Sequence, residues 1–439
     1  MKIKRKNLDY EKVLLLERPV HKKPLRPNFL LSSLIRLLSV FDLHATKFTF
    51  TESRMEEIKD KPCLILMNHS CFLDLEIAFR IFYPRRMGIV CTSDGFVGKK
   101  TLMRMIGCIP TQKFVSDVSL ITDMLYLLNE KDTSVLMYPE ASYSFDGTAT
   151  ALPRKFGVLL KKLNVPVVMV TTKGAFSRDP LYNMLQKRKV KVSAHAECIL
   201  TPEEIKSKST KELDAILNEA FTFDNFKWQK ENNVEINEKF RSDGLHRILY
   251  KCSECEMEGE MVGEGVHLTC GNCGKKWELT SLGELKSVSG TTKFSHIPDW
   301  YKWERACVRE ELENETYNLE TDVKISMMVD YKAIYNVGEG KLIHNNNGFS
   351  LVGCNGRLNY EQSPLSSYGL YADYYWYQIA DVICIGNKDA LYYCFPKDNI
   401  PVAKARMAAE ELYKLTRERK RANRVLKNSE MNKIEVNNI

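Results

Sequence analysis

No stretch of this 439-residue chain supplies the roughly 20 consecutive apolar residues that a membrane-spanning helix needs. A strongly apolar segment, "NFLLSSLIRLLSVF" (28–41), is only 14 residues long and contains Arg36. No small-residue cleavage site follows it, and it starts too late for an ordinary secretory signal. An internal repeat is also missing. Without a secretory signal, the 13 cysteines argue for reduced thiols in a cytosol, not for a disulfide framework. A composition of 44% hydrophobic and 27% charged residues excludes wholesale disorder. The length excludes a single ordinary core, so two or three domains are expected.

The net charge of +8 suits an anionic partner without choosing between nucleic acid, a membrane surface and a phosphorylated substrate. Residues 1–27 hold nine Lys or Arg against three acids, so 9 − 3 gives +6. Such a stretch reads as a solvated tail or, with the apolar segment behind it, as a membrane-contact element. The segment itself reads as a helix that lies on an anionic bilayer face or packs on the neighbouring domain. Residues 1–45 are therefore taken as a basic segment and an amphipathic membrane-contact helix.

Over 46–235, short apolar runs such as "CLILMNH" (63–69), "MGIVCTS" (87–93), "TSVLMYP" (133–139) and "VPVVMVTTKG" (165–174) alternate with stretches of helical spacing. This alternation predicts an α/β domain, a sheet covered by helices, whose chemistry sits where strands end. A cysteine module follows at 246–282. From 295 to 420 the runs become short and alternating, split by Gly and Asn, and a helix closes them from Pro401. They predict a β-rich domain, a sandwich or small barrel, and their element order suits a pleckstrin-homology-like architecture. Residues 421–439 form a basic tail.

Within the α/β region, "LMNHSCFLDLEIAF" (66–79) puts Asn68, His69 and Asp74 among apolar residues. A histidine there is either a satisfied core residue or a general base with its orienting carboxylate. Three later stretches bear on the choice: "GCIPTQKF" (107–114), "MYPEASYSFDG" (137–147) and "NVPVVMVTTKG" (164–174). Their order and spacing resemble the glycerolipid acyltransferase family typified by 1-acylglycerol-3-phosphate acyltransferases. That family carries an N-H-x4-D motif, a Gly-to-Arg motif, F-P-E-G-T-R-S and a V-P-V-V-P-V-type strand. The resemblance covers about residues 60–200.

The resemblance implies direct acyl transfer, with His69 as base and Asp74 as its partner. Acyl-CoA or acyl-carrier protein would be the donor, and a membrane lysophospholipid the acceptor. Gly107, Lys113, Pro139, Glu140 and Ser142 would line the acceptor site, with backbone N–H groups beside the His69 turn stabilising the oxyanion. The chemistry fits the residues independently. Neutral imidazole can take a hydroxyl proton near neutral pH, and a carboxylate fixes its tautomer. Gly-x-Ser-x-Gly is absent around Ser70, so no covalent serine route is indicated. Two departures stand out. Lys113 replaces the second motif's arginine, and Tyr143 replaces that of the third, leaving Arg154 and Lys155 as downstream cations.

The cysteine module, "CSECEMEGEMVGEGVHLTCGNC", has two C-x2-C pairs. Cys252, Cys255, Cys270 and Cys273 can close a tetrahedral thiolate site, so a zinc ribbon with structural Zn2+ is expected. The acids crowding it argue against a nucleic-acid surface. The leading functional reading is thus an acyltransferase of phospholipid synthesis on the inner, cytoplasmic face of the cell membrane. A catalytically inactive zinc-ribbon regulatory or binding protein, and a thioester hydrolase, are the competing readings. The aromatic run "YGLYADYYWYQIADV" (368–382) reads as sheet core and cross-strand pairs, with no functional role.

Overall fold

The computed structural model describes residues 2–115, 117–184 and 186–437, with side chains described as far as residue 425. The last two residues of the expected basic tail lie outside it, and the rest continues the helix Val402–Asn437. Three sheets organise the described residues.

The first has seven strands in the order Thr49–Ser53, Ser193–Leu200, Val167–Lys173, Leu64–Met67, Ser134–Met137, Met87–Thr92, Cys108–Thr111. The last five run parallel, while Ser193–Leu200 runs antiparallel to Val167–Lys173. Leu64–Met67 is buried along its whole length, as a parallel strand covered on both faces must be. Ile65 and Met67 join the core under helix Leu73–Phe82, while Leu64 and Leu66 join the opposite core with helices Phe156–Leu163 and Thr210–Ala220. The strand Cys108–Thr111 lies inside the stretch 107–114, which reads as a motif with no secondary structure assigned to it. Pro110 is tolerated because this is an edge strand.

The ribbon is a four-stranded antiparallel sheet of Met261–Glu264, His267–Cys270, Lys276–Leu279 and Leu285–Ser287, a little longer than 246–282. Its Trp277 is fully buried against Trp300 of helix Ile297–Glu313, ring centroids 5.0 Å apart.

The C-terminal sheet is a continuous antiparallel path: Leu358–Gln362, Gly348–Gly353, Ile334–Asn345, Asn318–Met328, Leu391–Pro396, Ala380–Gly386, Tyr371–Trp376. Its first and last strands in chain order pair with each other, Val323 opposite Pro396 to Met328 opposite Leu391. Helix Val402–Asn437 packs on helix Ile297–Glu313 through Arg305 and Glu410, 2.6 Å apart. Residues 1–27 are not merely a solvated tail. Arg5–Asn7 adds a parallel strand beside Ile334–Asn336, and Ile3, Tyr10 and Val13 are buried, so the segment's apolar residues anchor it despite its charge.

Candidate active site and metal centre

Three neighbouring parallel strands end at one place. Leu64–Met67 runs into Asn68 and His69, Ser134–Met137 into Tyr138, Pro139 and Glu140, and Val167–Lys173 brings Thr172. Open α/β sheets bind ligands at such strand ends. Asn68 ties the strands together, its Oδ1 accepting from Thr172 N at 2.7 Å.

His69 and Asp74 meet across the strand-to-helix turn. Asp74 is fully buried in the first turn of helix Leu73–Phe82. Its Oδ2 accepts from Ser70 N (2.6 Å), Cys71 N (3.0 Å) and His69 Nδ1 (3.2 Å). A carboxylate only accepts, so Nδ1 carries the proton and Nε2 presents a lone pair. The imidazole is 21% exposed. It lies between two rings, Tyr138 stacked at 3.9 Å and Tyr143 tilted at 4.3 Å. Burial holds its pKa below the ordinary histidine value, the Asp74 hydrogen bond and charge oppose this, and the Lys113 charge adds to it. The site therefore keeps a neutral base whose Nε2 has no hydrogen-bond partner among the described residues.

Glu140 is fully buried and supports this turn. Oε2 accepts from His69 N at 2.9 Å, and Oε1 from Thr150 N and Oγ1 at 2.7 and 2.9 Å. Burial pushes its carboxyl up to about 7 against these three donors. In Glu140→Gln the amide NH2 faces an N–H donor. The variant should lose about 1–3 kcal/mol of stability, read as a lower unfolding midpoint, and should slow turnover more than it raises KM. An unchanged midpoint would show that the turn does not depend on this carboxylate.

The other sequence candidates separate. Lys113 belongs to the cluster through its charge on His69. Ser142 and Ser70 are buried with unpaired hydroxyls, and the hydroxyl of the partly buried Tyr138 is likewise buried and unpaired. Pro139 is buried between Tyr138 and Glu140. Gly107 is not brought here. It precedes the strand Cys108–Thr111, at the opposite end of the sheet, and a Cβ on it would come within 2.5 Å of Pro27. Its φ of +90° and this contact explain the glycine as packing. Arg154 lies over the Tyr413 ring instead of in the cluster. The backbone N–H groups of His69, Ser70 and Cys71 are all engaged by carboxylates, so they are not free to serve as the expected oxyanion donors. Sequence reasoning gave Tyr138 no place and saw Tyr143 only as a lost arginine. Aromatic residues carry no motif signal until the fold puts them against the imidazole.

Residues 49–173 match the model of the acyltransferase family. This region is an acyltransferase domain. A comparison with curated proteins finds no match. Among solved structures, the chain is similar to the crystal structure of the 1-acyl-sn-glycerophosphate (LPA) acyltransferase PlsC from Thermotoga maritima, at 16% identity and a TM-score of 0.36, over 43% of this chain and 76% of that one.

Beside the acyltransferase domain, the four ribbon cysteines bring their sulfurs within 4.8 Å of one another. Cys252 and Cys273 Sγ are 3.8 Å apart, and Cys255 and Cys270 Sγ 3.7 Å. A tetrahedron built on Zn–S bonds of about 2.3 Å has edges of about 3.8 Å. Glu254 N and Asn272 Nδ2 donate to Cys252 and Cys255 Sγ, as suits thiolates. The donor set fits a metal ion such as zinc, and four thiolates would fill all four positions of a tetrahedral site.

Proposed function

We propose that the chain transfers a fatty acyl group from acyl-CoA or acyl-carrier protein to the hydroxyl of a lysophospholipid, 1-acylglycerol-3-phosphate or a related lipid, in phospholipid synthesis. The observation that carries this reading is His69 Nδ1 on the buried Asp74 carboxylate, with Nε2 left free, at the strand ends of an acyltransferase domain. In the proposed step, Nε2 takes the acceptor hydroxyl proton as the oxygen bonds to the thioester carbon. The C–S bond then breaks, and the proton passes to the departing thiolate. The buried, unpaired hydroxyls of Ser70, Tyr138 and Ser142 are the candidate donors to the oxyanion.

Labelled acyl donor offered with a lysophospholipid panel tests the reading. Label entering a lipid supports transfer, release of free fatty acid alone supports a hydrolase, and no turnover supports the inactive binding protein. The thiol carrier does not enter the step beyond its C–S bond, so both donors belong in the assay.

Lipid acceptors require access to a bilayer. No described helix is long and apolar enough to cross a membrane. Helix Phe29–Ala45 is turned in an unusual sense for a surface helix: Ser32 and Ser39 are buried, while Leu30, Leu34, Leu37, Leu38 and Phe41 form one exposed face. Leu30 and Phe41 are each 76% exposed, and Phe72, three residues after His69, is 63% exposed. Lys22, Lys23 and Arg26 precede the helix. This face suits peripheral binding to an anionic membrane surface, the inner face of the cell membrane in the proposed setting. Leu37→Glu with Phe41→Glu should weaken binding to phosphatidylglycerol-containing vesicles by about tenfold or more in a sedimentation assay. Undiminished binding would place the membrane contact elsewhere.

A further inference from the structure

The aromatic run that reads as sheet core is also the wall of the acyltransferase site. Strand Tyr371–Trp376 is the last strand of the C-terminal sheet, and it lies on the loop that carries Lys113. Tyr371 OH donates to the fully buried Asp94 Oδ2 at 2.6 Å and accepts from Trp376 Nε1 at 2.9 Å. Gly369 comes so close that a Cβ would meet the Phe114 ring at 2.6 Å. Tyr374 packs on Phe145 at 4.7 Å, and Arg406 of the C-terminal helix donates to the Tyr143 carbonyl at 3.4 Å. Two domains distant in sequence thus share one site.

The charges at this junction are specific. The Lys113 ammonium sits 4.1 Å over the Tyr371 ring and, among the described residues, has no hydrogen-bond or carboxylate partner. Its charge lowers the pKa of both His69 and Asp373, and Asp373 stands two residues after Tyr371 on the same strand. Asp373 Oδ1 accepts from Tyr374 N at 2.9 Å, and its carboxylate finds no ion-pair partner among the described residues. The charge of Asp373 acts on Tyr143, the ring against His69, and on Tyr377. Burial pushes the Asp373 carboxyl up to about 6, with the Lys113 charge opposing the rise.

A phosphomonoester carries about −1.5 to −2 charge at neutral pH. Holding it calls for more than one cation, yet here the third-motif arginine is Tyr143 and the charge of Lys113 is offset by that of Asp373. A phosphodiester bearing an amine presents one negative and one positive charge, which a lysine and an aspartate can pair separately. Tyrosine faces add attraction for the cation.

We propose that Lys113 and Asp373, one from each domain, together select an acceptor with a zwitterionic headgroup, Lys113 taking the phosphodiester and Asp373 the cationic amine. This rests on the acyl-transfer reading above and names its acceptor class. The C-terminal β-domain is then a specificity element of the enzyme.

The test uses the full chain with labelled acyl donor and three acceptors: lysophosphatidylethanolamine, lysophosphatidic acid and monoacylglycerol. The wild type should prefer lysophosphatidylethanolamine over lysophosphatidic acid by about tenfold or more. Asp373→Asn should abolish that preference by slowing the zwitterionic acceptor alone. Lys113→Met should slow both phosphate-bearing acceptors more than it slows monoacylglycerol, so that the ratio of each to monoacylglycerol falls. The ratios are internal to each variant, so partial unfolding does not mimic them. A preference for lysophosphatidic acid, or a ratio that Asp373→Asn leaves unchanged, overturns the proposal while acyl transfer stands. If no acceptor is labelled, the acyl-transfer reading falls and this one with it.

Discussion

His69→Ala should lower the rate of acyl transfer by about 10²–10⁴-fold, the usual contribution of a positioned general base. Its effect on the unfolding midpoint should be small by comparison. The imidazole is on the rim of the sheet, packed between Tyr138 and Tyr143, and leaves Asp74 with two backbone donors when it is removed. The pH dependence gives a second readout. A base whose pKa is depressed by burial stays unprotonated to lower pH, so in the acid range the limb set by His69 should lie below the ordinary imidazole value of about 6.5, apart from that of the Glu140 carboxyl near 7. Asp74 opposes that depression. Asp74→Asn should therefore move the limb further down in pH while also lowering the plateau, because the amide does not hold the Nδ1–H tautomer. Steady-state rates from pH 4.5 to 8 would show both. An upward shift of the limb in Asp74→Asn, or a His69→Ala variant with wild-type turnover, would remove His69 from the proposed role of base.

Stripping the metal, or Cys270→Ser, should unfold the ribbon. Structural zinc of this kind contributes on the order of 10 kcal/mol of apparent folding free energy, comparable with the whole stability of an ordinary domain of about 5–15 kcal/mol. The ribbon's four strands are three or four residues long, too little sheet to persist unaided. Hydrogen exchange should rise across 250–287, and the near-ultraviolet signal of the Trp277–Trp300 pair should change. The disturbance should reach the acyltransferase site. Arg247, just before the ribbon, pairs with Asp381 at 3.1 Å, and its carbonyl accepts from Tyr374 OH at 2.7 Å on the wall strand. Activity should thus fall with metal content although, among the described residues, the side chains packed on His69 are Tyr138, Tyr143 and Asp74 and none comes from the ribbon. Full exchange protection in metal-free protein would show that the four cysteines are not a structural centre.

Much of the architecture is local in origin and so was open to reading. Leu64–Met67 and its parallel neighbours are continuous apolar runs because both faces are covered. The C-terminal strands alternate along their length, as Asn318–Met328 does until its wholly buried end. The proximity of His69 to Asp74 and the meeting of four cysteines also follow from short spacings, one across a strand-to-helix turn, the other across two C-x2-C turns. The edge strand around Pro110 escaped because proline contradicts strand propensity except at an edge, and being an edge is a property of the sheet.

By itself, then, the sequence determined the elements whose partners are near in the chain: the alternating α/β pattern, the histidine with its carboxylate, and the thiolate cluster. Only the tertiary structure decided what distant residues do for one another. It turned Glu140 inward onto His69 N and left Gly107 packed on Pro27 at the far end of the sheet. It drew the basic N-terminal segment into the C-terminal sheet. It laid Tyr371 over Lys113 across a separation of more than 250 residues. Periodicity reports which face of an element is buried, but not which element buries it. Because that choice depends on packing summed over the whole chain, the contact of Tyr371 with Lys113 could be recognised only once the domains were seen together.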